Sequence, residues 1–199
     1  GETAEDYPQQ IQFIKLLFRL PPPECVGDLW LERFSPYYTR PEEYGVTITG
    51  PGEAYSYVYD SEDIDLFKIA YDFEFTTKNE ISPGLKKELF DTAKEWKRRH
   101  QSDELPYLIF TKSMNFVTVY DDRSIGNPNK NRFEGSPAWI IVFCNESPKT
   151  MDQIKKHVQE LGAEEGAAEK GVLQLEKIGV LYGEKGKYLT LAVPHNANL

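Results

Sequence analysis

Three histidines and two cysteines are the side chains from which metal, nucleophilic or redox chemistry would start, and their spacing assembles none of it. His100 closes a charged helical run, His157 lies in a polar helical pattern and His195 in the C-terminal tail, with no HxxE, HExxH or neighbouring cysteine to complete a ligand set. All three are expected at the surface. Cys25 follows three prolines and Cys144 sits in an apolar run, far from it in sequence. A secreted disulfide framework calls for more cysteines at closer intervals, so both read as reduced thiols of a cytosolic protein, with a long-range disulfide as the alternative. No GxSxG elbow, P-loop or GxGxxG is present, and Gly50-Pro51-Gly52 reads as a turn, not a phosphate cradle. Asp121-Asp122-Arg123 follows an apolar strand; a hydrogen-bonded turn is the plain reading, carboxylates at a strand end the functional one. No nucleophile–base pair supports a small hydrolase. The sequence therefore nominates no catalytic, cofactor-binding or metal residue.

What it does concentrate is tyrosine. Residues 32–39 read ERFSPYYT and residues 54–60 AYSYVYD, and Trp30, Phe34, Tyr37, Tyr38, Tyr44, Tyr55, Tyr57 and Tyr59 fall within thirty residues. Each ring offers apolar bulk, while each tyrosine hydroxyl still needs a hydrogen-bond partner. Such a tract builds a core with a wet rim or a surface that grips another molecule. Arg33, Phe34, Tyr37, Tyr38, Tyr55 and Tyr57 are the interaction candidates, and local core packing is the competing role for each.

The elements that hold this tract are those of an α+β chain: a small antiparallel sheet with flanking helices, followed by a winged helix-turn-helix-like module. The 199 residues suffice for two small domains, 1–103 and 104–199, with 101–104 as the candidate linker. Residues 7–20 place Ile11, Ile14, Leu17 and Phe18 at helical spacing, and Pro21, Pro22 and Pro23 end that helix and continue as a stiff connector. Residues 44–49, 54–60 and 66–75 read as three strands, separated by Gly50-Pro51-Gly52 and by Ser61-Glu62-Asp63. In the last, Phe67, Ile69, Tyr71, Phe73 and Phe75 alternate with polar residues, which predicts one buried face. Ser82-Pro83-Gly84 opens a helix over 85–100 with Leu85, Leu89, Ala93 and Trp96 inward.

In the second half, 107–110 and 116–120 predict a hairpin, and 138–144 is a buried helix or strand that periodicity does not resolve. Ser147 or Thr150 caps a helix over 151–161; a third helix covers 167–178 with Val172, Leu173, Leu175 and Ile178 inward. The runs 180–182 and 188–193 flank Glu184-Lys185-Gly186-Lys187 as a terminal hairpin.

Composition narrows the partners. Twenty-three basic against thirty-two acidic residues give a net charge of −9, which opposes phosphate binding. On the would-be recognition helix and its approach, Glu164, Glu165, Glu169 and Glu176 outnumber Lys170 and Lys177, so nucleic acid is not the expected partner. No apolar run reaches the roughly 18 residues of a membrane span, and the acidic N-terminus has no signal-peptide core, so a cytoplasmic protein without a membrane partner is expected. Glycine at position 1 reads as a cleavage scar of a longer protein.

Three stretches in order carry a resemblance: LPPPECVGDLWLERFSPYYTRPEEYGV, PGEAYSYVYD and FKIAYDFEF, continued by VTVYDDR, WIIVFCNES and LEKIGVLYGEKGKYLTLAVP. From about residue 16 to 194 the chain resembles the region that follows the catalytic barrel in cobalamin-dependent radical SAM proteins that mature ribosomally made peptides (RiPPs). The resemblance implies a parent with a cobalamin (B12) domain and a barrel whose CxxxCxxC triad holds a [4Fe–4S] cluster for S-adenosylmethionine. Cys25 and Cys144 do not make that triad, so the cluster, S-adenosylmethionine and cobalamin are expected for the parent only, and this chain is expected to be catalytically inert. Its implied partners are the missing N-terminal barrel, against which residues 33–38 would lie, and a precursor peptide. An independent winged-helix regulator or ligand-binding protein is the alternative. Exposure of part of the tract from 30 to 59 is the expected mark of a docking seam.

Overall fold

The computed structural model describes residues 4–59, 63–78, 81–124 and 128–195, and the protein is a mixed α/β chain of helices and small, largely antiparallel sheets. It divides into two compact units, Gly1–Ile11 with Pro23–Asp91, and Gln12–Pro22 with Thr92–Leu199. The sequence predicts two consecutive domains, 1–103 and 104–199, whereas each unit is built from two separate segments of the chain, and α1 (Asp6–Leu16) and α5 (Pro83–His100) each contribute to both. Helix α1 stops four residues before the sequence reading had it, because the chain tightens first, with Leu17 and Leu20 amides on the carbonyls of Ile14 and Leu17.

The first unit runs β1 (Leu31–Glu32), α2 (Pro36–Thr39), a 3₁₀ turn (Pro41–Tyr44), β2 (Val46–Pro51), α3 (Ala54–Val58), α4 (Leu66–Ile69) and β3 (Asp72–Thr77). Its antiparallel sheet has the order β1-β3-β2, with Leu31 opposite Phe73 and Ile48 opposite Phe75. Leu31, Val46, Ala70 and Phe73 form a small core, ringed by Tyr37, Tyr38, Tyr44, Ile48, Tyr55 and Phe75.

Two strand expectations fail here. Residues 54–58 are helical: the tyrosines that alternate along AYSYVYD also contain an i,i+4 pair, and Tyr55 and Tyr59 stack at 6.4 Å while Tyr57 reaches back to Glu53. Residues 66–69 are helical as well, started by Asp65, whose side chain accepts from the Phe67 amide. The strand begins only at Asp72, so of the five residues expected on one buried face, Phe67, Ile69 and Tyr71 are exposed, Phe75 is half-buried and Phe73 alone is buried. Of the turn read at Ser61-Glu62-Asp63, the first two residues lie outside the described residues, as does Asp60.

The second unit contains the meander β4 (Leu108–Lys112), β5 (Phe116–Asp121) and β6 (Asn129–Glu134), then α6 (Ser136–Glu146), β7 (Lys149–Thr150), α7 (Met151–Glu160), α8 (Ala167–Lys177), β8 (Leu181–Glu184), β9 (Lys187–Thr190) and β10 (Val193–Pro194). Strand β6 was not legible: NKNRFE is polar because it is a sheet edge, with Arg132 over the Phe116 ring at 3.7 Å and Lys130 over Tyr120 at 5.4 Å. The sequence left 138–144 unresolved; it is helical, and Ala138, Ile140, Ile141 and Cys144 are buried. A capping box starts α7, with Thr150 Oγ1 accepting from the Gln153 amide and Gln153 Oε1 from the Thr150 amide.

On α8 the buried stripe is Ala168, Gly171, Val172 and Leu175, one helical face, which leaves Leu173 and Ile178 exposed instead of inward. Lys185 and Gly186, both at positive φ, make the two-residue turn between β8 and β9. The last strand was read through to 193, but the chain leaves that sheet at the buried Leu191-Ala192, and β10 pairs in parallel with β4. Strand orders are β10-β4-β5-β6 and β7-β9-β8. Among the described residues no helix is long and apolar enough to cross a membrane.

Candidate interaction surface

The tract is organised by the sequence RFSP. Ser35 caps α2, its Oγ accepting from the Tyr38 amide at 3.2 Å, and Pro36 occupies the first turn where a missing N–H costs nothing. Glu32 to Ser35 is a tight turn closed by the Ser35 amide on the Glu32 carbonyl at 3.2 Å. Its third residue is Phe34, held at φ +74° with 76% of its surface exposed. A bulky aromatic residue in the left-handed region is an outlier that glycine or asparagine normally fills.

Arg33 points the other way, into the first unit. Its backbone amide donates to the Tyr71 carbonyl at 2.6 Å, which extends the β1–β3 pairing by one residue. The guanidinium donates from Nε to the Ala70 carbonyl at 2.6 Å, from Nη2 to the Phe67 carbonyl and from Nη1 to the Tyr38 hydroxyl at 3.3 Å. It also lies over the rings of Phe73 and Tyr38, at 5.1 and 5.5 Å. A cation on the last carbonyls of a short helix is favourable placement, and here it fixes α4 against the sheet. The guanidinium donors are thus engaged within the unit.

Tyr37 and Tyr38, consecutive on α2, diverge: the first ring lies 4.7 Å from Tyr44, the second 4.8 Å from Phe73. Both are half-buried at the rim of the small core. Tyr55 is held similarly, its hydroxyl accepting from the Tyr71 amide at 2.8 Å. Tyr57 faces solvent, 78% exposed, and its hydroxyl donates to Glu53 Oε1 at 2.6 Å; that bond to a carboxylate pushes the phenol pKa up. The six candidates therefore divide: Arg33, Tyr37, Tyr38 and Tyr55 build the support, while Phe34 and Tyr57 face outward.

Other outward residues lie outside those six. Trp30 precedes the buried Leu31 and is 70% exposed; Val58, Phe67, Ile69 and Tyr71 are also exposed. Trp30 was legible in strand alternation, since its neighbour is core. Phe67, Ile69 and Tyr71 were hidden by the strand assignment, although Asp65 two residues before Phe67 was an available helix-start signal. An isolated exposed ring is ordinary; here several large apolar side chains are exposed on the elements around one small sheet.

The remaining chemistry-bearing residues are accounted for by local structure. Cys25 is exposed and Cys144 buried, both free thiols; burial pushes the Cys144 thiol up to about 12. Among the described residues no group of three or more His, Cys, Asp or Glu side chains is placed to hold a metal ion. Of the histidines expected at the surface, His195 is exposed, but His100 and His157 are half-buried: His100 Nε2 bonds the Phe18 carbonyl at 2.8 Å, and His157 stacks on Phe143 at 4.0 Å. Asp121 and Arg123 form a bidentate pair at 2.9 and 2.7 Å, and Arg123 Nη1 also donates to the Leu16 carbonyl at 3.1 Å. Arg123 Nη2 also reaches the Ile178 carbonyl at 3.4 Å, so this triplet fastens three segments of the second unit. A cleft of about 410 Å³ in this unit is lined by Arg98, Arg99, Ser102 and Asp122 among others, and the Ser102 hydroxyl donates to the backbone carbonyls of Arg99 and Glu104.

The chain was compared with protein-family models, curated proteins and solved structures, and none matches.

Proposed function

We propose that the chain is a non-catalytic interaction and substrate-positioning region of a larger, cytoplasmic, cobalamin-binding radical SAM enzyme that modifies ribosomally made peptides. The observation that carries this reading is the outward aromatic run of the first unit, Trp30, Phe34, Tyr57, Phe67 and Tyr71, presented on a framework whose polar groups are internally bonded. A surface of that kind is the counterpart of a domain that covers it. Phe34 strengthens the case, because backbone strain that projects a ring into solvent has no folding benefit. The barrel preceding this region in the resembled family is the proposed occupant. The group chemistry of such a parent, a cluster holding S-adenosylmethionine, is supplied by cysteines outside this chain.

The second unit is proposed to be a winged-helix-like module. The order α6-β7-α7-α8-β8-β9, with β7 pairing β9 and the β8–β9 hairpin as the wing, supports it. A peptide- or protein-facing role is favoured over DNA, since Glu169 and Glu176 lie exposed on α8 and Lys155 is engaged with Glu169 at 2.7 Å.

The test is reconstitution from two pieces. The segment encoded upstream of Gly1, expressed separately and mixed with this chain, should give a one-to-one complex in size-exclusion chromatography, weakened at least tenfold by Trp30→Ser with Phe34→Ser. An upstream frame without CxxxCxxC, or a complex indifferent to both substitutions, overturns the proposal.

A further inference from the structure

We infer that the polypeptide surface which covers Trp30 on the outer face of the first unit's sheet is basic, presenting arginine and lysine side chains; this deepens the docking reading above and rests on it. The charge of the chain is not evenly distributed. Residues 23–91 contain fifteen acidic and six basic side chains, a net −9, and the rest of the chain contains seventeen of each. The entire net charge therefore belongs to the stretch that displays the aromatic residues.

The placement is specific at the sheet. Leu31 and Phe73 are paired and buried on the core side, so their neighbours Trp30, Glu32 and Glu74 occupy the opposite face, where all three are exposed. Glu32 pairs in register with Asp72. Five of the six cations in residues 23–91 are engaged elsewhere: Arg40 pairs with Glu43, Lys68 with Asp65, Lys86 with Asp28 and Lys87 with Asp91, while Arg33 is spent on the Phe67 and Ala70 carbonyls; the sixth, Lys78, is exposed just past the end of β3. Glu32 and Glu74 make no ion pair among the described residues.

An exposed indole on the same sheet face as unpaired carboxylates favours arginine and lysine. The guanidinium or ammonium group is attracted by the ring face and by the carboxylates together, and its aliphatic stem covers the ring. An acidic partner would be repelled, and a purely apolar one would desolvate Glu32 and Glu74 without repayment. Charge complementarity thus fixes the sign of the partner where the aromatic exposure fixes only its presence.

The test uses the full chain and three fluorescein-labelled decapeptides, alternating leucine with arginine, glutamine or glutamate, read by anisotropy at low and at physiological salt. The arginine peptide should bind at least tenfold tighter than either counterpart. Its affinity should fall about tenfold in Trp30→Ser and in Glu32→Gln with Glu74→Gln, and fall again with salt. Circular dichroism checks that these surface variants remain folded. Equal binding of the glutamine and arginine peptides, no binding of any, or arginine-peptide binding unchanged by the variants overturns the inference. The two readings separate in the two-piece reconstitution: a complex sensitive to Trp30→Ser but indifferent to salt and to Glu32→Gln with Glu74→Gln sinks the basic partner and leaves the docking surface standing.

Discussion

Replacing Phe34 by glycine should leave the stability of the first unit nearly unchanged while removing affinity for whatever covers it. The left-handed region costs a residue with a β-carbon about 1–2 kcal/mol, and Phe34 sits there at φ +74°, so glycine recovers about that amount. Two terms oppose it. Glycine gives the unfolded chain extra freedom, worth about 0.5–1 kcal/mol. The ring is 76% exposed, so the burial lost is roughly a quarter of the 1.5–3 kcal/mol of a fully buried phenylalanine, about 0.4–0.8 kcal/mol. The sum lies within about 1 kcal/mol of zero. Phe73→Ala is the contrast: that ring is buried, packed against Tyr38 and beneath the Arg33 guanidinium, and its removal should cost about 3–5 kcal/mol. Urea unfolding followed by circular dichroism and by tryptophan fluorescence measures both variants. If Phe34→Gly loses more than about 2 kcal/mol, the ring is part of a packed core and the reasoning from its exposure fails.

Further perturbations address the second unit. Arg123→Ala should destabilise it by about 3–5 kcal/mol in denaturant unfolding, because it leaves the largely buried Asp121 carboxylate without its bidentate partner and the Leu16 carbonyl without its donor. A thiol reagent should label Cys25 at once and Cys144 only on unfolding; rapid labelling of both would contradict the buried site. Because the Cys144 thiol is raised from 9.0 to about 12, its contribution is present below pH 9 and should be lost as pH rises towards 12, which alkaline melts of Cys144→Ala against the parent chain would read. The Glu95 carboxyl is held down at about 2, chiefly by the hydrogen bond from Arg98 and then by that from Arg99. Its contribution is therefore present above pH 4.5 and lost as pH falls towards 2, so Glu95→Gln should flatten the acid limb of a stability profile.

Read along the chain, the second half was the more transparent. Helix α7 and the β8–β9 hairpin are set by local chemistry, the Thr150–Gln153 box in one case and Lys185-Gly186 in the other, and both signals act within a few residues. Strand β6 was hidden because, Phe133 apart, its residues are polar at a sheet edge, and β10 because its pairing with β4 joins residues some eighty positions apart. In the first half, alternating aromatics suggested strands where α3 and α4 form. Period two and period four share positions, so Tyr55 and Tyr59 satisfy both patterns, and only the Tyr71 amide bonded to the Tyr55 hydroxyl and the Arg33 bonds to α4 distinguish them.

By itself the sequence determined that the chain carries no assembled catalytic or metal-ligating motif and that its aromatic residues cluster between positions 30 and 59. Those are properties of residue type and short spacing. Which rings support and which rings face out was decided only by tertiary structure. Arg33 and Phe34 are adjacent, yet one is consumed by carbonyls brought to it from 34 and 37 residues away and the other is turned outward by a single positive φ. Burial depends on what the fold brings to a side chain from elsewhere, and no local pattern encodes that.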